Sequence, residues 1–250
     1  EMVRSDWSSD VCSSDLIYRP GFIMPSPARY IPNLLTLSNL LCGCVGILLA
    51  REAPLLAPAY LVWLACVFDF FDGFAARWLK TSSSIGKELD SLADMVSFGI
   101  LPSLVMFTGL ENSTSNKYIP YVAFLIAVFS ALRLAKFNVD ENQKETFIGL
   151  PTPANALFIT GLSFLDTPFN FIATTTGLVT VCVMFSLLLV APVNLFALKF
   201  KNFSWADNKL RFTFIGLSVL LLGWKQAGAV SLIILLYIIL SLASGALAKK

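Results

Sequence analysis

The 250-residue chain reads as an all-α, polytopic integral membrane protein, a bundle of about eight transmembrane helices. Three observations predict this. The composition is 56% hydrophobic and only 14% charged, where soluble domains carry roughly 25% charged residues, and the mean hydropathy is +0.75. Apolar runs near the ~20 residues needed to cross a bilayer recur along the chain. Lysine and arginine concentrate in alternate links between those runs, as membrane topology requires. Without water to satisfy the backbone, spanning segments of this length must be helices.

Taken in order, the opening "EMVRSDWSSDVCSSDL" repeats Ser-Ser-Asp, has no periodicity and lacks the apolar core of a signal peptide. It resembles translated sequencing-adapter readthrough. Residues 1–23 are therefore set aside as non-native or disordered, with Met24 a candidate start. Apolar spans follow at about 32–50, 55–78, 90–109, 118–138, 152–166, 170–197, 211–224 and 227–247, the fifth and seventh being short. "REAP", "TSSSIGKE", "LENSTSNK", "NVDENQKETFIGLP" and "KNFSWADNK" are among the links. With eight spans and a cytosolic N-terminus, 15 of the 18 Lys and Arg fall inside, and only Arg51, Lys117 and Lys225 fall outside. Merging the seventh span into its neighbour would spoil this parity.

Composition also excludes chemistry. There is no histidine, so no His-based triad, His metal ligand or His general base. The five cysteines, Cys12, Cys42, Cys44, Cys66 and Cys182, form no C-x-x-C pair, and four lie in apolar runs; they read as small packing residues rather than a zinc site or a disulfide framework. A net charge of +2 with no long basic tract gives no reason to expect nucleic acid as a partner.

The chemistry-bearing stretch is "DFFDGFAARWLKTSSSIGKELDSLAD", residues 69–94. At about 100° per residue, Asp72 lies about 60° from Asp69, with Gly73 and Ala76 on the same face. Asp90 and Asp94 share a face of the next helix, and Gly86 lies beside them if it is helical. A link of about ten residues folds the second helix onto the first, so that the four carboxylates converge. At a membrane border they would repel one another and resist desolvation unless cations neutralise them. An all-oxygen donor set suits Mg²⁺, Mn²⁺ or Ca²⁺ rather than zinc. Two such ions can clamp a pyrophosphate. Gly73, Ala76 and Gly86 leave room for a nucleotide against the backbone, and Arg77 and Lys87 can meet phosphate charge. The plain alternative, helix caps around a solvated mouth, suits one aspartate better than four at this spacing.

Asp69-x-x-Asp72-Gly73-x-x-Ala76-Arg77, eight residues, then Gly86-x-x-x-Asp90-x-x-x-Asp94 resembles the full signature of the CDP-alcohol phosphotransferase family. The resemblance implies a six-helix catalytic membrane core, here within residues 24–200, with two additional helices in 201–250. It implies two divalent ions, Mg²⁺ or Mn²⁺, held by Asp69, Asp72, Asp90 and Asp94. It implies a CDP-linked lipid donor near Asp69, Gly73, Ala76, Arg77, Gly86 and Lys87, and Asp94 as the base that deprotonates an acceptor hydroxyl. "IPNLLTLSNLLCG" (31–43) resembles the family's opening helix, where Asn33 and Thr36 could reach the cytidine or its ribose; N-capping and back-bonding are the alternative uses.

"ALRLAKFNV" (131–139) and "FIGLPTPANA" (147–156) resemble the phosphatidylserine synthase branch of the family. The resemblance implies CDP-diacylglycerol and L-serine as substrates, with Arg133, Lys136 and Asn138 as candidate serine-binding residues. Lys136 stands where family members commonly carry arginine, and it keeps the charge without the fork. Arg133 and Lys136 also fit simple positive-inside anchoring, and Pro151, Pro153 and Asn155 fit helix-entry punctuation. The rivals are a sister enzyme using glycerol 3-phosphate or another alcohol, an aspartate-lined cation transporter, and a catalytically dead scaffold. A transporter would spread its acids through several spans near the midplane, whereas these cluster at one face. The last two spans carry no recognisable chemistry and are left to packing or homodimer formation. A bacterial inner membrane, with the site facing the cytosol, is the expected location.

Overall fold

The computed structural model describes residues 30–52, 55–81, 83–139, 149–165, 172–193, 195 and 205–247. The opening stretch set aside above, Met24, Cys12 and residues 140–148 of the fourth link lie outside the described residues. Everything regular in the described residues is helical.

Helix α1 (Ile31–Glu52) carries Leu34, Leu37, Leu41 and Leu48 on its exposed side and Thr36, Asn39, Gly43, Gly46 and Ala50 on its buried side. The buried positions recur at alternating spacings of three and four, one stripe of an α-helix. In a bilayer the apolar face meets lipid, and small or polar residues make the helix–helix contacts. This stripe packs α1 against α2 (Leu56–Trp78) and against the rod that follows. A Cβ on Gly43 would stand 3.0 Å from the Ser97 backbone, so the two helices approach as closely as a glycine allows.

The rod consists of α3 (Ser84–Asp94), a π-helical turn (Met95–Ile100) and α4 (Leu101–Ser113). It starts six residues before the apolar span expected from residue 90. Ser83, in extended conformation, accepts a hydrogen bond from the Gly86 N–H at 3.0 Å and nucleates the helix through the polar Lys87 and Glu88. The link is therefore shorter than the ten residues expected. Helix α2 closes with Thr81 N–H on the Ala76 carbonyl (3.1 Å) and Lys80 N–H on Arg77 (3.3 Å), with Lys80 at φ 51° where glycine is usual. The π turn begins directly after Asp94 and ends at Ile100, two residues before Pro102, which lacks an N–H for the ladder and crowds the preceding turn.

A 3₁₀ turn (Ile119–Phe124) leads into α5 (Leu125–Val139). Then come α6 (Thr152–Gly161), α7 (Thr175–Val190), α8 (Trp205–Lys225) and α9 (Ala229–Leu247). Among the described residues, five stretches are long and apolar enough to cross a membrane: α1, α2, the rod, Ile119–Val139 and Asn208–Ser244. The molecule is an integral membrane helix bundle. Among the described residues the eight expected spans correspond to eight helical rods, of which α6 and α7 are shorter than the spans read at 152–166 and 170–197, and α8 and α9 share one apolar stretch, Asn208–Ser244. A 3₁₀ turn follows Gly161, and α7 stops before Pro192. Helices α8 and α9 join through a break at Gln226, φ 48°.

Two apolar cores hold the bundle. One, around Val62, Phe98, Leu101 and Ala156, joins α1, α2, the rod and α6. The other joins α4 to α7 and α9, with Phe158 stacked on Phe185 at 3.8 Å. At the α6–α9 crossing, Ser231 donates to the Phe158 carbonyl (2.7 Å), and a Cβ on Gly161 would stand 3.0 Å from the Ser231 backbone nitrogen. Overpacked sites typically lose about 1–3 kcal/mol. Gly161→Val should therefore lower thermal stability in detergent by that order and leave turnover per folded molecule unchanged. An unshifted melting temperature would show that α9 docks loosely.

Candidate active site

The last turns of α2 and the whole of α3 form the two walls of the site, and the first turns of α1 form its back. Asp69, Asp72 and Asp90 each offer a carboxylate oxygen within 4.8 Å of the others. The predicted convergence therefore holds for these three. Asp72 is buried and accepts a hydrogen bond from the Thr36 hydroxyl at 2.6 Å; that hydroxyl is also 3.0 Å from the Pro32 carbonyl of its own helix. A charge-assisted bond of this kind is worth about 1.5–3 kcal/mol. Asp90 Oδ1 is buried with no hydrogen-bond partner among the described residues. A carboxylate oxygen shut away from water with no donor, beside two more carboxylates, is neutralised by a proton or by a cation, and the group could hold a metal ion.

Asp94 lies one turn deeper than Asp90, outside this group of three, and is also buried. One of its oxygens accepts from Asn39 Nδ2 at 3.2 Å. The Ser97 hydroxyl donates to the Asn39 backbone carbonyl at 2.9 Å and ties the π turn to the same point of α1.

A cleft of about 230 Å³ opens beside the carboxylates, lined by Asn33, Thr36, Asp72, Gly73, Ala76, Gly86, Lys87 and Asp90 among others. Six of the eight residues expected near a nucleotide therefore share one cavity. Asp69 belongs to the carboxylate group beside it. Arg77 is exposed, and its Nε donates to the Gly73 carbonyl at 2.9 Å. Gly73 has open space where a Cβ would be, whereas a Cβ on Gly86 would crowd Ser83 Oγ and Asn33 Oδ1 at 3.1 and 3.2 Å. Both glycines keep the cleft wall flat.

Of the three residues assigned to the acceptor, Arg133 is half-buried. Its Nε has no hydrogen-bond partner among the described residues, and it is near enough to Asp94 for their charges to interact. Asn138 is held by its side-chain amide, whose Nδ2 donates to Ser91 Oγ at 2.8 Å, and its backbone carbonyl accepts from Lys87 Nζ at 2.9 Å. Lys136 is exposed and makes no hydrogen bond among the described residues. Asn155 is fully buried, with both amide atoms unpaired among the described residues.

Sequence reasoning missed Asn39, Ser83, Ser91 and Ser97. The signal for Asn39 was present: it stands three residues after Thr36, on the face already marked by Asn33 and Thr36. Cys42, Cys44, Cys66 and Cys182 are free thiols; Cys42 and Cys182 are buried and Cys66 half-buried, as packing residues would be, whereas Cys44 is exposed.

Comparison with known proteins agrees with this geometry. The family model described as CDP-alcohol phosphatidyltransferase matches residues 29–245, through most of α9. The chain is 35% identical over 154 residues to a CDP-diacylglycerol–serine O-phosphatidyltransferase of Bacillus subtilis, covering 60% of this chain and 84% of that protein. It is 30% identical over 218 residues to the enzyme of the same name from Helicobacter pylori, covering 86% and 90%. Against the one from Methanocaldococcus jannaschii it is 35% identical over 131 residues, covering 52% and 59%. Four aspartates on two adjoining helices, a cleft with flat glycine walls and a match spanning nearly the whole bundle lead to one assignment: the chain belongs to the CDP-alcohol phosphatidyltransferase family.

Proposed function

We propose that this protein transfers the phosphatidyl group of CDP-diacylglycerol to the hydroxyl of L-serine, giving phosphatidylserine and CMP. The observation that carries the proposal is the carboxylate group Asp69, Asp72 and Asp90 on the wall of a cleft, with Asp94 just below it. The names of the relatives support serine as the acceptor.

Asp69, Asp72, Asp90 and Asp94 are the residues that would hold two divalent ions, Mg²⁺ or Mn²⁺. Their all-oxygen chemistry and the unpartnered Asp90 oxygen fit such ions. When bound, the ions would neutralise the carboxylates and polarise the phosphate oxygens. The chain's own residues do the rest. Asn33, Thr36, Gly73, Ala76, Gly86 and Lys87 receive the cytidine diphosphate, and Arg77 stands at the mouth. Asp94 takes the proton from the serine hydroxyl, whose oxygen forms a bond to the phosphorus next to the lipid. The bond from that phosphorus to the bridging oxygen of CMP breaks, and CMP leaves with the electron pair. In a chain with no histidine, a carboxylate is the available base. Helix α1 runs from the cleft to Arg51, whose ion pair with Glu111 (3.9 Å) marks the far end of the bundle. This separation supports chemistry at one membrane face, where a lipid tail and a polar head meet. The excess of Lys and Arg on that side supports a cytosol-facing site.

Arg133 carries the acceptor assignment, its guanidinium pairing with the serine carboxylate beside Asp94. Arg133→Ala should raise the KM for serine at least about tenfold, the equivalent of one lost charge-assisted contact, and change CDP-lipid binding less. The primary assay is CMP release from CDP-diacylglycerol with serine, glycerol 3-phosphate or inositol, with and without Mn²⁺ or Mg²⁺. Release with serine alone supports the proposal. Release only with another alcohol keeps the aspartate mechanism and discards serine, and an unchanged serine KM in the variant discards the role of Arg133.

A further inference from the structure

We propose that Asn39 is a positioning residue for Asp94: its side-chain amide holds one carboxylate oxygen and so sets the direction in which the other is presented to the acceptor's proton. The inference rests on the base role given to Asp94 above.

Asn39 is completely buried on the bundle side of α1, and its Nδ2 donates to Asp94 across the α1–α3 contact at 3.2 Å. A carboxylate accepts and does not donate, so the amide nitrogen must face it. The other Asp94 oxygen has no hydrogen-bond donor among the described residues. The charges near it are the carboxylates of Asp69, Asp72 and Asp90 and the guanidinium of Arg133. The neutral donor therefore fixes direction without adding charge.

Two further observations indicate that Asn39 does more than pack. Its Oδ1 is buried with no partner among the described residues. An unmet buried acceptor is costly, and an apolar side chain at this position would avoid that cost. The backbone at Asn39 is itself pinned, since its carbonyl accepts from Ser97 in the π turn that begins directly after Asp94. Gly43, one turn further along α1, lets the Ser97 backbone approach. The two ends of the Asn39–Asp94 bond are thus braced against each other, and the π turn that sets the facing of the rod is part of the brace. Thr36, one turn back, holds Asp72 in the same manner. Helix α1 thereby grips one carboxylate from each of the two signature helices.

Partners that orient a functional ligand typically contribute 10- to 100-fold to activity or affinity. The test compares wild type, Asn39→Leu and Asn39→Ala as full-length protein in nanodiscs, with Ser38→Ala as control because its hydroxyl bonds only to the Leu34 carbonyl of its own helix. Three quantities are read: kcat and KM for CMP release with whichever acceptor wild type uses, Mn²⁺ binding by electron paramagnetic resonance, and thermal stability. The expected result is a kcat lowered 10- to 100-fold in both Asn39 variants. The lipid KM and Mn²⁺ binding should stay within about twofold, and both variants should remain folded. A kcat within twofold of wild type in folded Asn39→Leu overturns the assignment. Losses in lipid KM and Mn²⁺ binding as large as the loss in kcat overturn it too, since Asn39 would then support the whole cleft. Because the acceptor is whichever alcohol wild type takes, serine can fail as substrate without touching this comparison; a wild type inactive with every alcohol overturns both readings.

Discussion

Asp94→Asn should lower CMP release roughly 10²- to 10⁴-fold, the usual contribution of a general base, while CDP-lipid binding remains measurable. The substitution keeps the shape of the side chain, and its amide oxygen can still accept from Asn39 Nδ2, so the α1–α3 contact survives. What disappears is the ability to accept a proton. The remaining carboxylates, Asp69, Asp72 and Asp90, form a group without it, so the cleft and most of its affinity for the donor are expected to persist. Equilibrium binding of the CDP-lipid and single-turnover CMP release, on the same preparation, separate the two effects. If a folded variant loses binding together with turnover, Asp94 acts mainly as a ligand and the base must be sought elsewhere.

The walls of this site were legible in the sequence because they depend on helical periodicity. Three-residue and four-residue spacings put Asp69 with Asp72, and Asp90 with Asp94, whatever the surrounding packing does. Gly73, Ala76 and Gly86 follow from the same count, and all three line the cleft. The helical rods of the bundle were legible because every spanning segment must satisfy its own backbone. The depth of each residue was less legible. The start of α3 was read from the apolar run, but Ser83 begins the helix in polar sequence. The π turn after Asp94 rotates the lower half of the rod relative to an ideal helix, and no count at 100° per residue foresees it. Asn39 was overlooked because an isolated polar residue on an apolar helix has many uses, and only the partner helix selects one. Lys136 illustrates how little a lone charge specifies. Its charge fitted a substrate as well as a membrane anchor, and it is exposed on α5.

Asp90→Asn should move stability in two opposite directions, depending on whether divalent metal is present. Without metal, Asp69, Asp72 and Asp90 stand within 4.8 Å of one another with Asp90 Oδ1 unpartnered. Neutralising one carboxylate removes like-charge repulsion and the cost of desolvating a buried anion. The metal-free variant should therefore melt higher than metal-free wild type. With metal, the order reverses. A ligand that binds only the folded state stabilises it by RT ln(1 + [L]/Kd), about 2.7 kcal/mol at one hundred times the Kd. Wild type should gain this on adding Mn²⁺, and Asp90→Asn, having lost a ligand from the group, should gain little. Turnover should fall with metal affinity and recover partly at high Mn²⁺ concentration, unlike Asp94→Asn, which no metal concentration should rescue. Melting curves of both proteins with EDTA and with graded Mn²⁺ decide the matter. A variant less stable than wild type in EDTA, with an undiminished shift on adding Mn²⁺, would mean that Asp90 serves the fold and that the carboxylates are not a metal cage.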